Sequence, residues 1–419
     1  MQRNRLATPT WLLSGVMVCV GLTALAEPVK TAQEPLPILV GRGDDLLAAK
    51  QRYDAGDSAT TKAVDKLVRE AQKALDKPIV AVTEKAPHRV ATSGDPHDYV
   101  SLSPYWWPNP DTADGMPFIK KDGQYNPDRA LYDEPRMTIL YKTVRPLALA
   151  YYFTGDERYA QNAAERLRTW FLDDATRMNP NLKYAQFKPG HGKFNHWGII
   201  ETNRLAYIPN ASMMLRGSPH WNDADDAALK DWFAAYLDWL TTSALGQEEL
   251  AAPNNHGSWA NAQVVQYALF TGQNDVAKHY LETIPQRIAS QIEPDGSQPE
   301  EIRRTRALHY TDFNLRALIS LAEFGDRVGV DLWHYETEDG RSLRKAIDFA
   351  VPFMIDPASF PYKQIDKPKY KNFAQTLRRA AIGYHEPAYE QAAQQLNEPL
   401  SPTSWVNLLM APVTCDQQD

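Results

Sequence analysis

The sequence predicts an all-α fold, an incomplete (α/α) toroid of helical hairpins with long active-site loops. Apolar residues recur at three- and four-residue spacing through most segments between residues 44 and 395. Alternating strand patterns are scarce. Two joints also echo one another. Tyr151-Tyr152-Phe153-Thr154-Gly155 and Ala268-Leu269-Phe270-Thr271-Gly272 each lead into a new amphipathic segment, at Asp156 and Asn274. Such repetition suggests paired helices set around an axis. A dozen helices suit a ring of hairpins better than a four-helix bundle, and periodicity alone leaves an open solenoid possible.

Residues 1–26 read as a cleaved secretory signal: Arg3 and Arg5, an apolar run over 11–25, and the small residues of Ala24-Leu25-Ala26. The run is too short and wrongly flanked for a membrane anchor. Val18 precedes Cys19 where a lipoprotein would carry a small residue. The mature chain is therefore expected near Glu27, periplasmic or secreted from a bacterium, with no membrane anchor. Residues 27–42 bear prolines and read as an N-terminal tether; 43–419 read as a single toroid domain. Helices are predicted over 44–54, 58–75, 135–153, 157–172, 199–215, 223–244, 258–270, 275–292, 299–324 and 342–355, with two short ones between 372 and 395. The irregular stretches 85–135 and 179–198 are long enough to be functional walls or lids. The second, with Lys183, Lys188, His191, Lys193 and His196, is the most basic short segment in the chain.

Composition narrows the function. Loss of Arg3 and Arg5 with the signal takes the formal charge from −7 to −9, which argues against nucleic acid as partner. A polyanionic substrate would then need a local basic cleft. Once Cys19 leaves, Cys415 is the sole cysteine, so no internal disulfide forms and the core must hold the fold. The 11 Trp and 20 Tyr permit sugar stacking, though a helical core also consumes them. Nothing in the sequence sets the oligomeric state.

Two polar clusters carry the chemistry: Asn254-Asn255-His256-Gly257-Ser258-Trp259 and Arg303-Arg304-Thr305-Arg306-Ala307-Leu308-His309-Tyr310. β-Elimination from a 4-linked uronate needs its carboxylate neutralised, its C5 proton removed and O4 protonated. Fixed amide, guanidinium and imidazole donors suit the first task. On a continuous helix Arg303, Arg306 and Tyr310 share a face, with Arg304 and His309 turned elsewhere. A tyrosine beside fixed cations is expected below its reference pKa of roughly 10, within reach as a base. Where the C5 proton and O4 lie on one side, as in mannuronate and glucuronate, one tyrosine can serve both steps. In guluronate they lie on opposite sides, and His256 could be the base.

These residues resemble a known family. Asn-Asn-His-Gly-Ser-Trp, Pro294-Asp295-Gly296-Ser297-Gln298-Pro299-Glu300 and Arg-Ala-Leu-His-Tyr look like the alginate lyase domain shared by polysaccharide lyase family 5 and its family 38 relatives. Ser103-Pro104-Tyr105-Trp106-Trp107-Pro108-Asn109-Pro110 and Gly198-Ile199-Ile200-Glu201 resemble further motifs of that family. The resemblance implies metal-free β-elimination of an anionic uronic-acid polysaccharide on an incomplete toroid. It implies Asn255 and His256 at the carboxylate-neutralising and base positions, Arg303 as the arginine and Tyr310 as the catalytic tyrosine. Gly257-Ser258 and Arg304-Thr305 bring the chain closer to the broader relatives than to polymannuronate lyases.

Each residue also has a plainer reading. Asn254 and Asn255 could cap a helix before a packed histidine. Arg303 and Arg306 could pair with Glu300 and Glu301 on a solvated face. Trp106 could pin its loop to the core, Tyr105 could line a subsite, and Lys188 and His196 could attract substrate. His191 and His196 on one loop and a lone His97 make no tetrahedral set, so neither metal nor cofactor is expected. Glu201 and Asp295 could form a glycosidase pair, although Asp295 more simply shapes a turn. The alternatives to an alginate-cleaving lyase are therefore a glucuronan lyase on the same site, a glycoside hydrolase, or a non-catalytic uronan-binding protein.

Overall fold

Asp57 accepts the Thr60 N–H at 2.8 Å and so starts helix α2 (Ser58–Leu75) directly behind α1 (Gly43–Asp54). These and the following elements come from a computed structural model that describes residues 34–413. The expected signal segment, Cys19 and Cys415 lie outside the described residues. Within the stretch 85–135 the short strand β1 (Val100–Leu102) is followed by β2 (Trp106–Trp107), which pairs antiparallel with β3 (Ile119–Lys120). Helix α3 (Glu134–Thr154) ends on Gly155 at φ 67°, and Asp156 caps α4 (Glu157–Leu167), which runs on as a wider π turn over Arg168–Leu172. Strand β4 (Tyr184–Phe187) then pairs in parallel with β1.

Several predicted helices are divided, each at an identifiable residue. A 3-10 run over His196–Tyr207 replaces the start of the helix predicted at 199–215, leaving α5 (Ile208–Leu215) with Pro209 in its first turn. Ser243 ends α6 (Asp223–Thr242) and caps α7 (Ala244–Leu250) by accepting the Gly246 N–H at 3.0 Å. Helix α8 (Asn255–Phe270) opens on the Asn254 cap. Pro285 has no N–H to continue α9 (Asn274–Leu281), so α10 (Ile284–Gln291) begins afresh. The helix predicted over 299–324 becomes α11 (Pro299–Ile302) and α12 (Ala307–Gly325), followed by α13 (Leu343–Ile355), α14 (Tyr370–Tyr384) and α15 (Pro387–Gln394).

The two joints that echo in sequence match in structure. Thr154 and Thr271 each return a hydroxyl to the carbonyl four residues back, Ala150 and Tyr267, at 2.7 and 2.8 Å. Gly155 and Gly272 both turn the chain at positive φ. Helix α3 packs on α2, α4 and α5; α8 on α6, α9 and α12; α12 on α13 and α14. The turn Trp405–Leu408 packs on α1 and α2, so the last hairpin returns toward the first. Arg145 of α3 lies there between the rings of Tyr207 (3.6 Å) and Trp405 (4.4 Å).

The core is continuous across these pairs. Leu147, Trp170, Phe233, Val264 and Ile319 are fully buried, and each apolar side chain buried in this way contributes about 1.5–3 kcal/mol. The supposed tether is partly core. Ile38 and Leu39 are buried, the Leu39 N–H donates to Asn210 Oδ1 at 2.7 Å, and the Arg42 N–H donates to the Leu409 carbonyl at 2.9 Å. Two well-placed apolar side chains here outweigh an irregular, proline-bearing backbone. The described chain from Pro35 onward forms one compact unit, and none of its helices is long and apolar enough to cross a membrane.

Candidate active site

The break between α11 and α12 makes the site. Residues 303–306 leave the helix because other groups capture them. Asp122 accepts from the Thr305 N–H (3.2 Å) and hydroxyl (2.9 Å) and from Arg304 Nη2 (2.7 Å). Arg306 forms an ion pair with Asp366, and the Ala307 N–H donates to the Lys363 carbonyl at 3.0 Å. Gly123 permits this approach: its φ is +76° and a Cβ there would stand 2.6 Å from Thr305 Oγ1. Although burial opposes it, Arg304 and Thr305 hold the Asp122 carboxyl down to about 2.

This geometry corrects three expectations. Arg303, Arg306 and Tyr310 do not share a helix face, because no continuous helix joins them. Arg304, expected to point elsewhere, stacks on the Tyr310 ring at 3.9 Å and donates to its hydroxyl at 3.0 Å. The Tyr310 phenol is not made more acidic. Burial raises it above its ordinary range, and Arg304 offsets that only in part. Arg303 is largely exposed and ion-paired with Glu300, as its plainer reading had it. Arg306 reaches Tyr105 (3.3 Å) and Tyr125 (3.1 Å), while Tyr105 and Tyr310 share a hydrogen bond of 2.8 Å.

Helix α8 supplies the facing group. Asn254 accepts the His256 N–H at 3.0 Å as an N-cap. Asn255 is buried and gripped by Glu301, which accepts its backbone N–H at 2.7 Å and its Nδ2 at 2.6 Å. Among the described residues Asn255 Oδ1 is buried without a hydrogen-bond partner. Burial pushes the Glu301 carboxyl up to about 7. His256 Nδ1 lies 2.7 Å from Glu249, whose other oxygen meets His196 Nδ1 at 2.5 Å. Burial opposes the charge on Glu249, but the two imidazoles hold its carboxyl below the usual range.

A cavity of about 600 Å³ joins these groups. Tyr105, Trp106, Asn254, Asn255, His256, Arg303, Arg304 and Tyr310 all line it. Its wall carries seven Lys or Arg residues (Lys120, Arg129, Arg204, Arg303, Arg304, Arg316 and Lys369) against two carboxylates, Glu134 and Glu201. An acidic chain thus presents a basic cleft. Glu201 is buried against the Tyr99 hydroxyl at 2.7 Å, and burial raises its carboxyl. Asp295 accepts the Ser297 N–H in a turn away from the cavity wall, so the two form no carboxylate pair across it.

A family model described as alginate lyase matches residues 82–360, more than half of the chain and both polar clusters. The chain belongs to the alginate lyase family. An alginate lyase from Bacteroides ovatus of known structure is similar at 36% identity and TM-score 0.85, over 89% of this chain and 99% of that one. Alginate lyase A1-III from Sphingomonas species A1, at 19% identity and TM-score 0.55 over 87% and 94%, shares the fold. An alginate lyase from Pseudomonas syringae pv. tomato is 28% identical over 54% of this chain and 56% of its own length. The chain spans about half the length of the curated relatives it matches.

Within this alginate lyase domain the remaining expected residues are placed as follows. Lys188 stacks on Trp197 (3.6 Å) and Trp106 (4.9 Å), and Lys120 lies 5.9 Å from the Trp197 ring. Burial and the Lys120 charge lower the Lys188 ammonium. His196 turns to Glu249 instead of the cavity wall. His191 packs edge-on to Trp106 and bonds to the Phe118 carbonyl (2.8 Å), while His97 bonds to the Arg177 carbonyl (2.6 Å). Among the described residues no group of three or more His, Cys, Asp or Glu is placed to hold a metal ion. Sequence reasoning missed Arg304, Glu249, Glu301 and Trp197. Only the charge of Arg304 beside Tyr310 in the motif could have marked one of them.

Proposed function

We propose that this protein cleaves a 4-linked uronic-acid polysaccharide by β-elimination, leaving a 4,5-unsaturated uronate at the new end. Mannuronate-rich alginate is the leading substrate. The observation that carries this reading is the Tyr310 hydroxyl, held by Arg304 and Tyr105 in one basic cavity with Asn255 and His256. The names and similarity of the relatives support alginate as the polymer. The apolar run at 11–25, ending on Ala24-Leu25-Ala26, supports export.

In the proposed reaction the substrate carboxylate lies toward the Asn255 amide and the arginines, whose donors stabilise the negative charge that builds as the C5 proton leaves. The proton goes to Tyr310 as phenolate, and the C4–O4 bond breaks with its electron pair leaving on O4. The same phenol then returns the proton to O4. Burial disfavours the phenolate, so the reaction runs from the fraction of Tyr310 that has first released its own proton to solvent. The guanidinium stacked on the ring stabilises that phenolate. Mannuronan and glucuronan differ only at C2, so parallel assays on the two polymers separate those substrates. Formation of unsaturated ends on either supports the reaction class; cleavage of both without them rejects it.

A further inference from the structure

Glu249 is a fully buried carboxylate with an imidazole on each oxygen, His256 Nδ1 at 2.7 Å and His196 Nδ1 at 2.5 Å. The two rings stand 6.4 Å apart at 73°. An ionised carboxylate only accepts, so both imidazoles must donate to it through Nδ1. They differ at the other nitrogen. His196 Nε2 faces a second carboxylate, Glu248, at 3.4 Å. His256 Nε2 has no hydrogen-bond partner among the described residues, and its ring lines the cavity. Carboxylates at both nitrogens favour the doubly protonated ring, whereas one at Nδ1 alone fixes a tautomer.

Resting on the reading of His256 as part of a lyase site, we infer that His196 is the resident cation of this trio and Glu249 a positioning residue. Together they hold His256 neutral, with Nε2 turned to the cleft as a proton acceptor. One buried carboxylate balances one positive charge, and a second imidazolium beside it would go uncompensated. The groups packed around the trio fit this division. Arg287 of α10 donates to the Leu250 and Ala252 carbonyls and acts on Glu249, disfavouring another cation. Glu301 acts on His256 from the α11 side, but its carboxyl, raised to about 7, carries only part of a charge near neutrality. Glu248 and, beyond it, Lys188 lie on the His196 side. Tyr236 of α6 adds no charge of its own. A neutral Nε2 can take the C5 proton of a uronate that presents it on the histidine face, as guluronate would. An imidazolium could only stabilise charge.

Nitrogen NMR of isotope-labelled histidine in the full chain, without substrate, tests this directly. Near pH 7 His196 should carry protons on both nitrogens and His256 on Nδ1 alone. The two signals are assigned by their loss in His196→Ala and His256→Ala. In His196→Ala the uncompensated Glu249 should draw a second proton onto His256 at that pH. Glu249→Gln should unlock the His256 tautomer and lower kcat on guluronate blocks by about 10²-fold or more, with KM within a few-fold and a smaller loss on mannuronate blocks. Glu249→Asp should recover part of that loss. A doubly protonated His256 in the parent protein, or a His256 ring unchanged in both variants, would overturn the inference. Should Glu249→Gln fail to fold, the partly exposed His196→Ala still decides. Since the NMR needs no polymer, failure there is distinct from failure to form unsaturated product.

Discussion

The Tyr310 hydroxyl meets the Tyr105 hydroxyl at 2.8 Å across 205 residues of sequence. One tyrosine stands on the first turn of α12 and the other on the loop between β1 and β2, so the contact ties the long N-terminal loop to the proposed proton-transfer group. Arg304 completes the arrangement, stacking on the Tyr310 ring and donating to the same hydroxyl.

Tyr310→Phe should therefore abolish nearly all turnover, a loss on the order of 10²–10⁴-fold, while fold and polymer affinity persist. Tyr105→Phe removes a bond that favours the ionised phenol, so it should move the optimum to higher pH with a smaller loss of rate. Steady-state kinetics across pH checks both. Parent-like kcat in Tyr310→Phe excludes this role for the phenol.

The two neighbouring arginines should separate cleanly. Arg304→Ala removes the cation on Tyr310 and should cost more kcat than Arg303→Ala, whose side chain is solvated and paired with Glu300. Arg303→Ala should act mainly on KM. If Arg303→Ala abolishes kcat and Arg304→Ala spares it, the resemblance has marked the right arginine and the resting geometry the wrong one.

Much of this was legible in the sequence, for physical reasons. Helical periodicity and the Thr-Gly joints report local backbone preferences, and the fold follows them. The clusters at Asn255-His256 and at Arg303 to Tyr310 do converge on one cavity. Helix register failed at residues 303–306, because Asp122, Lys363 and Asp366 capture groups that the helix would otherwise use. Glu249 and Glu301 were invisible for the same kind of reason: their importance lies in contacts with His256, His196 and Asn255 made by folding. Burial likewise reversed the expected direction for Tyr310.

Glu301 gives a stability prediction with a defined sign. Its carboxyl is raised from 4.5 to about 7 in the folded chain, so the native state holds the proton more tightly than the unfolded one. The contribution is present in full below the unfolded value and is lost as pH rises through about 7. The parent should thus lose Tm relative to Glu301→Gln between these limits, by a few degrees. Thermal melts of both proteins across that window check it; parallel curves would show that Glu301 titrates normally.

The Lys120–Lys188–Trp197 cluster should act through charge. Lys120→Ala and Lys188→Ala should each raise KM for polymeric substrate several-fold, and their deficit should shrink as salt screens the parent as well. KM measured at low and high salt tests this. A deficit that stays constant with salt would make the lysines packing groups on Trp106 and Trp197.

The central claim is elimination directed by a carboxylate in this cavity. The most direct measurement follows the ultraviolet absorbance of the new C4–C5 double bond alongside new reducing ends. It compares mannuronate blocks, guluronate blocks, glucuronan and a carboxyl-reduced polymer. Absorbance and reducing ends should rise together on mannuronate blocks, and neither should rise on the reduced polymer. Reducing ends without absorbance, or comparable cleavage of the reduced polymer, would contradict the account.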